Sequence, residues 1–246
     1  MHRLPAFAPL FVALCACLGV SGCGAPAPVP RTHATAPETE EMSVDQMAQT
    51  DFNRTLTLAM RENLASLMTL LDKFYKRNPR EWRKSGHASH AQALAAMRGM
   101  IASRSPPADV AGLSDIEILS VALDPAYRGD RVAALIYGMA DTIIVAHDGK
   151  TRFYAFDLLS AQRVYNAARN VEAAAWLLAS RRDAEGDALL LANEISGESS
   201  NLSFEREFGA LIARLDLVAS LLGENSRRLG INYAQNLFFF SFLPVR

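Results

Sequence analysis

Five histidines and three cysteines carry the most obvious chemistry in this chain, and their positions limit what they can do. His87 and His90 form the close histidine pair, with Glu81 the nearest carboxylate before them. A zinc site needs about four donors in a tetrahedral array, more than this pair supplies. The plainer reading is two solvent-facing histidines at a helix start. His147-Asp148 has the types of a base and its orienting carboxylate, but adjacent residues point apart. A histidine placed there more simply favours the C-terminal end of a helix dipole. Gly149-Lys150-Thr151 echoes the end of a phosphate-binding loop, without the earlier glycine or the leading strand that such a loop requires. No Gly-x-Ser-x-Gly turn and no His-Glu-x-x-His pair occurs. No metal and no cofactor is expected. The reading leans away from an enzyme and leaves room only for a hydrolase whose site is assembled by tertiary contacts.

Asn166, Arg169 and Asn170 are polar residues in the most apolar part of the chain. Polar groups buried in such a place must be hydrogen-bonded. Asp141 is the acidic partner assigned to them, with Asp130 and Glu172 as alternatives. Two roles are open. The group can line a pocket that holds a small apolar or amphipathic ligand between helices, or it can be a structural network that fixes helix register.

The cysteines are Cys15, Cys17 and Cys23, so nothing after residue 23 can form a disulfide or act as a thiol nucleophile. They belong to an opening segment with the plan of a signal peptide: His2 and Arg3, an apolar run from Leu10 to Leu18, then small residues. That run is well short of the roughly 18 residues a membrane span needs. Val20-Ser21-Gly22-Cys23 resembles the lipobox of bacterial lipoproteins. The resemblance implies cleavage before Cys23, a diacylglyceryl group on its thiol and an acyl chain of the palmitate type on its new amino group. Gly24, where inner-membrane lipoproteins of this kind carry Asp, implies an outer-membrane anchor facing the periplasm. Two or more acyl chains hold a protein stably on a bilayer, at about 0.8 kcal/mol per buried methylene. Lys76-Arg77-Asn78-Pro79-Arg80-Glu81 and Tyr165 to Asn170 are similar to stretches of uncharacterised proteobacterial envelope lipoproteins, which implies the same address and no activity.

The elements that must position these residues are helices. Residues 24–41 are rich in proline, alanine and small polar residues and read as a tether. Ser43 with Gln46 fits a capping box, and Phe52, Leu56, Met60, Leu64, Leu67, Leu71 and Phe74 follow at helical spacing. That predicts one amphipathic helix from Ser43 to Lys76, stopped by Asn78-Pro79. Ser89 with Gln92 and Ser114 with Glu117 open two shorter helices. Asp130 to Ala146 is apolar on nearly all sides and predicts a buried central helix. Phe156 to Ser180 and Ser203 to Arg228 are the other long helices expected, with a short apolar helix at Ala188 to Ala192. The chain is expected to turn irregular after Asn232, and Leu237 to Leu243, with four phenylalanines, to fold back and close one end of the core, with an exposed patch for a partner or the membrane as the alternative.

Half the residues are hydrophobic, enough to bury a substantial core, and the net charge of −1 excludes a nucleic-acid partner held by charge. The fold class expected is all-α, one bundle-like domain of about six helices. The organisation expected is a leader over 1–22, a lipidated cysteine and tether over 23–42 and a helical domain over 43–246. The function expected is a lipid-anchored, non-enzymatic scaffold whose partners are the membrane, through its anchor, and another envelope protein. A carrier of an apolar ligand is the alternative, and a hydrolase the second alternative.

Overall fold

Thr50 starts the first helix among the described residues: its backbone is extended, with φ −73° and ψ 160°, and its side chain accepts a hydrogen bond from the Asn53 amide. The computed structural model describes residues 49–155, 157–195 and 200–241, with side chains placed except at 195, 200, 233, 234 and 236–241. Cys23, the leader, the tether and the Ser43–Gln46 box lie outside the described residues. The first helix among the described residues, α1, spans Asp51–Arg77. It does not run through from Ser43, because Gln49 and Thr50 are not helical and Thr50 supplies the cap. Leu56, Met60, Leu67, Leu71 and Phe74 are buried as the spacing predicts, while Phe52 and Leu64 lie half-buried at the edge of the stripe.

Six more helices follow among the described residues: α2 (Pro79–Lys84), α3 (His90–Ser103), α4 (Ile116–Ala122), α5 (Arg131–Ala146), α6 (Ala161–Ser180) and α7 (Ser203–Ser241). The fold is all-α, and α2 and α4, of 6 and 7 residues, are little more than turns. A two-residue antiparallel pairing, Glu194–Ile195 with Ser200–Asn201, leads into α7.

Local chemistry explains most of the starts. Pro79 opens α2, where its missing amide costs no helical bond. Ser89 caps α3 by accepting from the Gln92 amide, and Gln92 in turn accepts from the Ala88 amide. Glu117 reaches back to the Ser114 amide, but the residue before α4 is Asp115, held at φ 51°. Asp130 caps α5. α6 begins at Ala161, five residues later than the pattern suggests, because Ser160 caps it by accepting from the Arg163 amide. Ala188–Ala192 is not a helix; Ala188 pairs with Arg182 in a single antiparallel bridge and the rest runs as loop.

α5 is the centre of the fold, with every residue but Val145 buried. α1 and α6 each pack on α5, and α7 packs on both α1 and α6, so the four long helices close a ring of neighbours. Phe74 on α1 meets Phe204 and Phe208 on α7 at ring distances of 4.6 and 6.4 Å. α4 covers another flank of α5 at Gly138, where a Cβ would sit 2.9 Å from Leu119 Cδ2.

α7 departs most from expectation. It buries Phe204, Phe208, Leu211, Leu215, Val218 and Leu222, and then stays helical to Ser241 instead of turning irregular after Asn232. From 223 to 232 its residues are exposed, apart from half-buried Glu224. No helix among the described residues is long and apolar enough to cross a membrane.

Candidate functional site

The four residues expected to share a polar pocket do not meet in one. Asp141 is buried on α5 and faces the other way, accepting from Arg104 Nη2 at 2.8 Å and from the Asp115 amide at 2.9 Å. It holds the loop between α3 and α4, where Arg104 and Asp115 both take positive φ. Asn166 is exposed and accepts from Gln162. Asn170 is half-buried on a groove wall. Arg169 is half-buried, its side chain 37% exposed. It does find carboxylates, pairing through Nη2 with both Asp216 oxygens on α7, at 2.9 and 2.7 Å, and through Nη1 with Glu172 at 2.6 Å. A half-exposed pair of this kind contributes at most about 1 kcal/mol. It ties α6 to α7 and lines an open hollow of about 390 Å³ together with Gln162, Tyr165 and Ser220. The helix stripe places Arg169 beside the core, and only its long side chain reaches out.

The buried polar groups elsewhere serve the fold. Asp130 accepts from the Ala133 amide, the Tyr75 hydroxyl and the Ser85 hydroxyl, at 2.9, 2.9 and 3.1 Å. Burial raises its carboxyl above the ordinary value despite those donors. Burial also pushes the Tyr75 phenol well above its usual range, with the Asp130 charge adding to the effect. Arg131 next to it donates to the Ala122, Asp124 and Tyr127 carbonyls, while its amide donates to Glu81. Those carbonyls belong to the last residue of α4 and to the α4–α5 connection, so this knot closes a loop.

His147 is buried, donates through Nδ1 to the Ile143 carbonyl at 2.8 Å and packs on Phe153. Burial lowers its pKa, which keeps it neutral. Asp148, its neighbour, points away and pairs with Arg163 instead. Lys150 pairs with Asp157. His90 opens α3, and its Nε2 lies 3.3 Å from Asp72 Oδ1 but out of line for a hydrogen bond. Among the described residues, no three His, Cys, Asp or Glu side chains converge as a metal site requires.

The arrangement that sequence reasoning missed is on the outside of α6. One groove of about 550 Å³ runs between α6 and α4, walled by Ile116, Leu119, Leu123, Asn170, Ala174 and Leu177. A second cleft of about 540 Å³ lies on the other flank of α6, with Leu178, Leu190, Phe204 and Phe208 as its floor. Its rim carries Arg77 paired with Glu194 at 2.8 Å, and Arg182. Ala175 belongs to the cleft and Leu177 to the groove, and Trp176 lies between them in the chain, 67% exposed. Neither hollow is lined by a histidine. The signal was present in part: a tryptophan next to the α6 stripe rather than on it. What the sequence hid was the 188–194 loop, which Asn78 holds in place by bonding both the amide and the carbonyl of Leu191.

No family model, curated protein or solved structure matches the chain. The function is therefore argued from these residues alone.

Proposed function

We propose that the protein is a lipid-anchored lipoprotein of the cell envelope, held in the outer membrane through Cys23, whose helical body binds another envelope protein through the outer face of α6. The anchor part rests on the Leu10–Leu18 run and Val20-Ser21-Gly22-Cys23. The observation that carries the binding part is Trp176, 67% exposed between two apolar-walled hollows. Tryptophan is the side chain most enriched among residues that dominate interface energies. Large exposed apolar side chains beside a groove mark contact surfaces on many soluble domains. The ionisable groups buried in the body are engaged in caps and loop clamps, which suits a scaffold.

The test has two arms. Cells fed an alkyne-tagged fatty acid should label the native protein and leave Cys23→Ser unlabelled. A photo-crosslinker at Ala173 should capture a defined envelope protein, and Trp176→Ala should abolish that capture without lowering the melting temperature. A crosslink indifferent to Trp176→Ala would remove the α6 face from the proposal, and an unlabelled native protein would remove the anchor.

A second reading, a carrier of a small apolar or amphipathic ligand, has one observation in its favour. The cleft floored by Leu178 and Phe208 has a volume within the roughly 300–1,000 Å³ of small-molecule sites.

A further inference from the structure

The groove between α4 and α6 carries two polar groups with hydrogen-bonding capacity that the body leaves unused. Its walls are apolar: Ile116, Leu119 and Leu123 recur at spacings of three and four along α4, and Ala174 and Leu177 form the α6 side. Asn170 stands four residues before Ala174, and Arg181, the residue that ends α6, four after Leu177. Asn170 is half-buried, and among the described residues its carboxamide meets no partner. Arg181 donates through Nη1 to the Leu123 carbonyl at 2.7 Å, which pins the guanidinium at one end of the groove. Its Nε and Nη2 form another edge of the guanidinium fork and meet no carboxylate among the described residues. Such an edge matches the two oxygens of one carboxylate. Asp183, the next acid along the chain, turns into its own loop and accepts from the Glu185 and Asp187 amides. Asp124 also lines the groove, with one oxygen accepting the Ala126 amide.

From Asn170 to Arg181 the chain of α6 rises about 16 Å. A partner helix of that length, about 10 Å across, would fill roughly twice the groove's volume of about 550 Å³. An extended chain advances about 3.3 Å per residue, so about five residues cover the same distance, with alternate side chains turned to the apolar walls. A carboxamide has both a donor and an acceptor to offer to the peptide groups along such a chain.

We infer that this groove holds an extended, apolar segment of the protein partner, about five residues long, whose Asp or Glu side chain pairs with Arg181 and whose backbone is held by Asn170. The inference rests on the reading of α6 as a binding face and names what that face binds.

The probe is an array of pentapeptides blocked at both ends, with apolar side chains at the first, third and fifth positions except for Glu, Gln or Lys at one terminal position. The full chain, kept in mild detergent, should bind the Glu peptides at least about tenfold more tightly than the Gln or Lys peptides. Arg181→Gln should erase that preference. Arg181→Glu should turn it toward Lys, an exchange that the mere loss of the bond to Leu123 would not produce. Asp124→Asn, which leaves Arg181 and that bond in place, should tighten the Glu peptides and leave the Gln peptides unchanged. Asn170→Ala should weaken all of them by a similar factor. Equal binding of Glu and Gln peptides, no binding of any peptide, or a Glu preference that survives Arg181→Gln would overturn the inference. So would a dimer of the native chain dispersed by Arg181→Gln with no peptide bound, which would assign the groove to a second copy. A Trp176-dependent crosslink from Ala173, beside peptides bound without regard to charge, would keep α6 as the binding face and remove the acidic segment. An Arg181-dependent Glu preference without any such crosslink would support the groove while the envelope partner fails.

Discussion

Asp130 shows how a single residue organises the centre of this protein. It caps α5, and the same carboxylate accepts hydroxyls from α1 and from the turn after α2. Asp130→Ala should remove a cap contribution of about 1 kcal/mol. It should also strand the buried Tyr75 hydroxyl, at about 1–3 kcal/mol. Denaturant unfolding should then show a loss of about 2–4 kcal/mol. Asp130→Asn keeps an oxygen for the Ala133 amide and should lose much less. The pH dependence separates charge from geometry. Burial raises the Asp130 carboxyl above its ordinary 3.8. A raised carboxyl contributes stability that is fully present below the unfolded value and is lost as pH rises through the folded one. Asp130→Asn should flatten the stability profile in that acid window. An unchanged profile would mean that the carboxyl ionises freely in the fold.

The decisive contact between elements is the approach of α4 to α5 at Gly138. α4 has only seven residues, too few to hold a helix without tertiary packing. It is held by Ile118 and Leu119, which are fully buried against α5, and by the loop that Asp141 clamps. Any side chain at 138 points at them: a Cβ alone would lie 3.1 Å from Ile118 Cγ2 and closer still to Leu119. Alanine there could be absorbed by the flexible end of Leu119, and it would gain helix propensity. Gly138→Leu cannot be absorbed, and overpacking of that size costs about 1–3 kcal/mol or more. Calorimetry should show a clear drop in melting temperature. Because Ile116 and Leu119 also wall the groove beside Trp176, the substitution should weaken the crosslink from Ala173 as well.

For the molecule as a whole, the ring of α1, α5, α6 and α7 is complete at Leu222. Deleting residues 233–246 should therefore change the stability by less than about 1 kcal/mol, or about 2–4 °C in a domain of this size. A larger loss would show that the end of α7 belongs to the core. The side chains of Leu237 to Leu243, expected to close the bundle, lie outside the described residues, so this deletion tests that expectation. The chain is expected to turn irregular from Asn232, yet the helix continues through Gly230, Asn232 and Asn236, all poor helix formers. Propensity did not break the helix.

The helices themselves were legible because their information is local. Caps at Ser89 and Asp130 act within about three residues, and the stripes of α1 and α7 repeat within a turn. The all-apolar stretch over α5 could only be a buried centre, and it is one. The partners were not legible. Arg169 meets Asp216, Asp141 meets Arg104, Asp130 meets Tyr75 and Asn78 meets Leu191, across separations of 47, 37, 55 and 113 residues. A periodic pattern states which face of a helix is buried and is silent on what lies against it. Arg169 and Asp141 were grouped because both lie in apolar stretches, yet helix direction and packing sent them to opposite tasks. The hollows beside Trp176 depend on α1, α4, α6 and α7 and the loops between them meeting, so only the tertiary structure could form them.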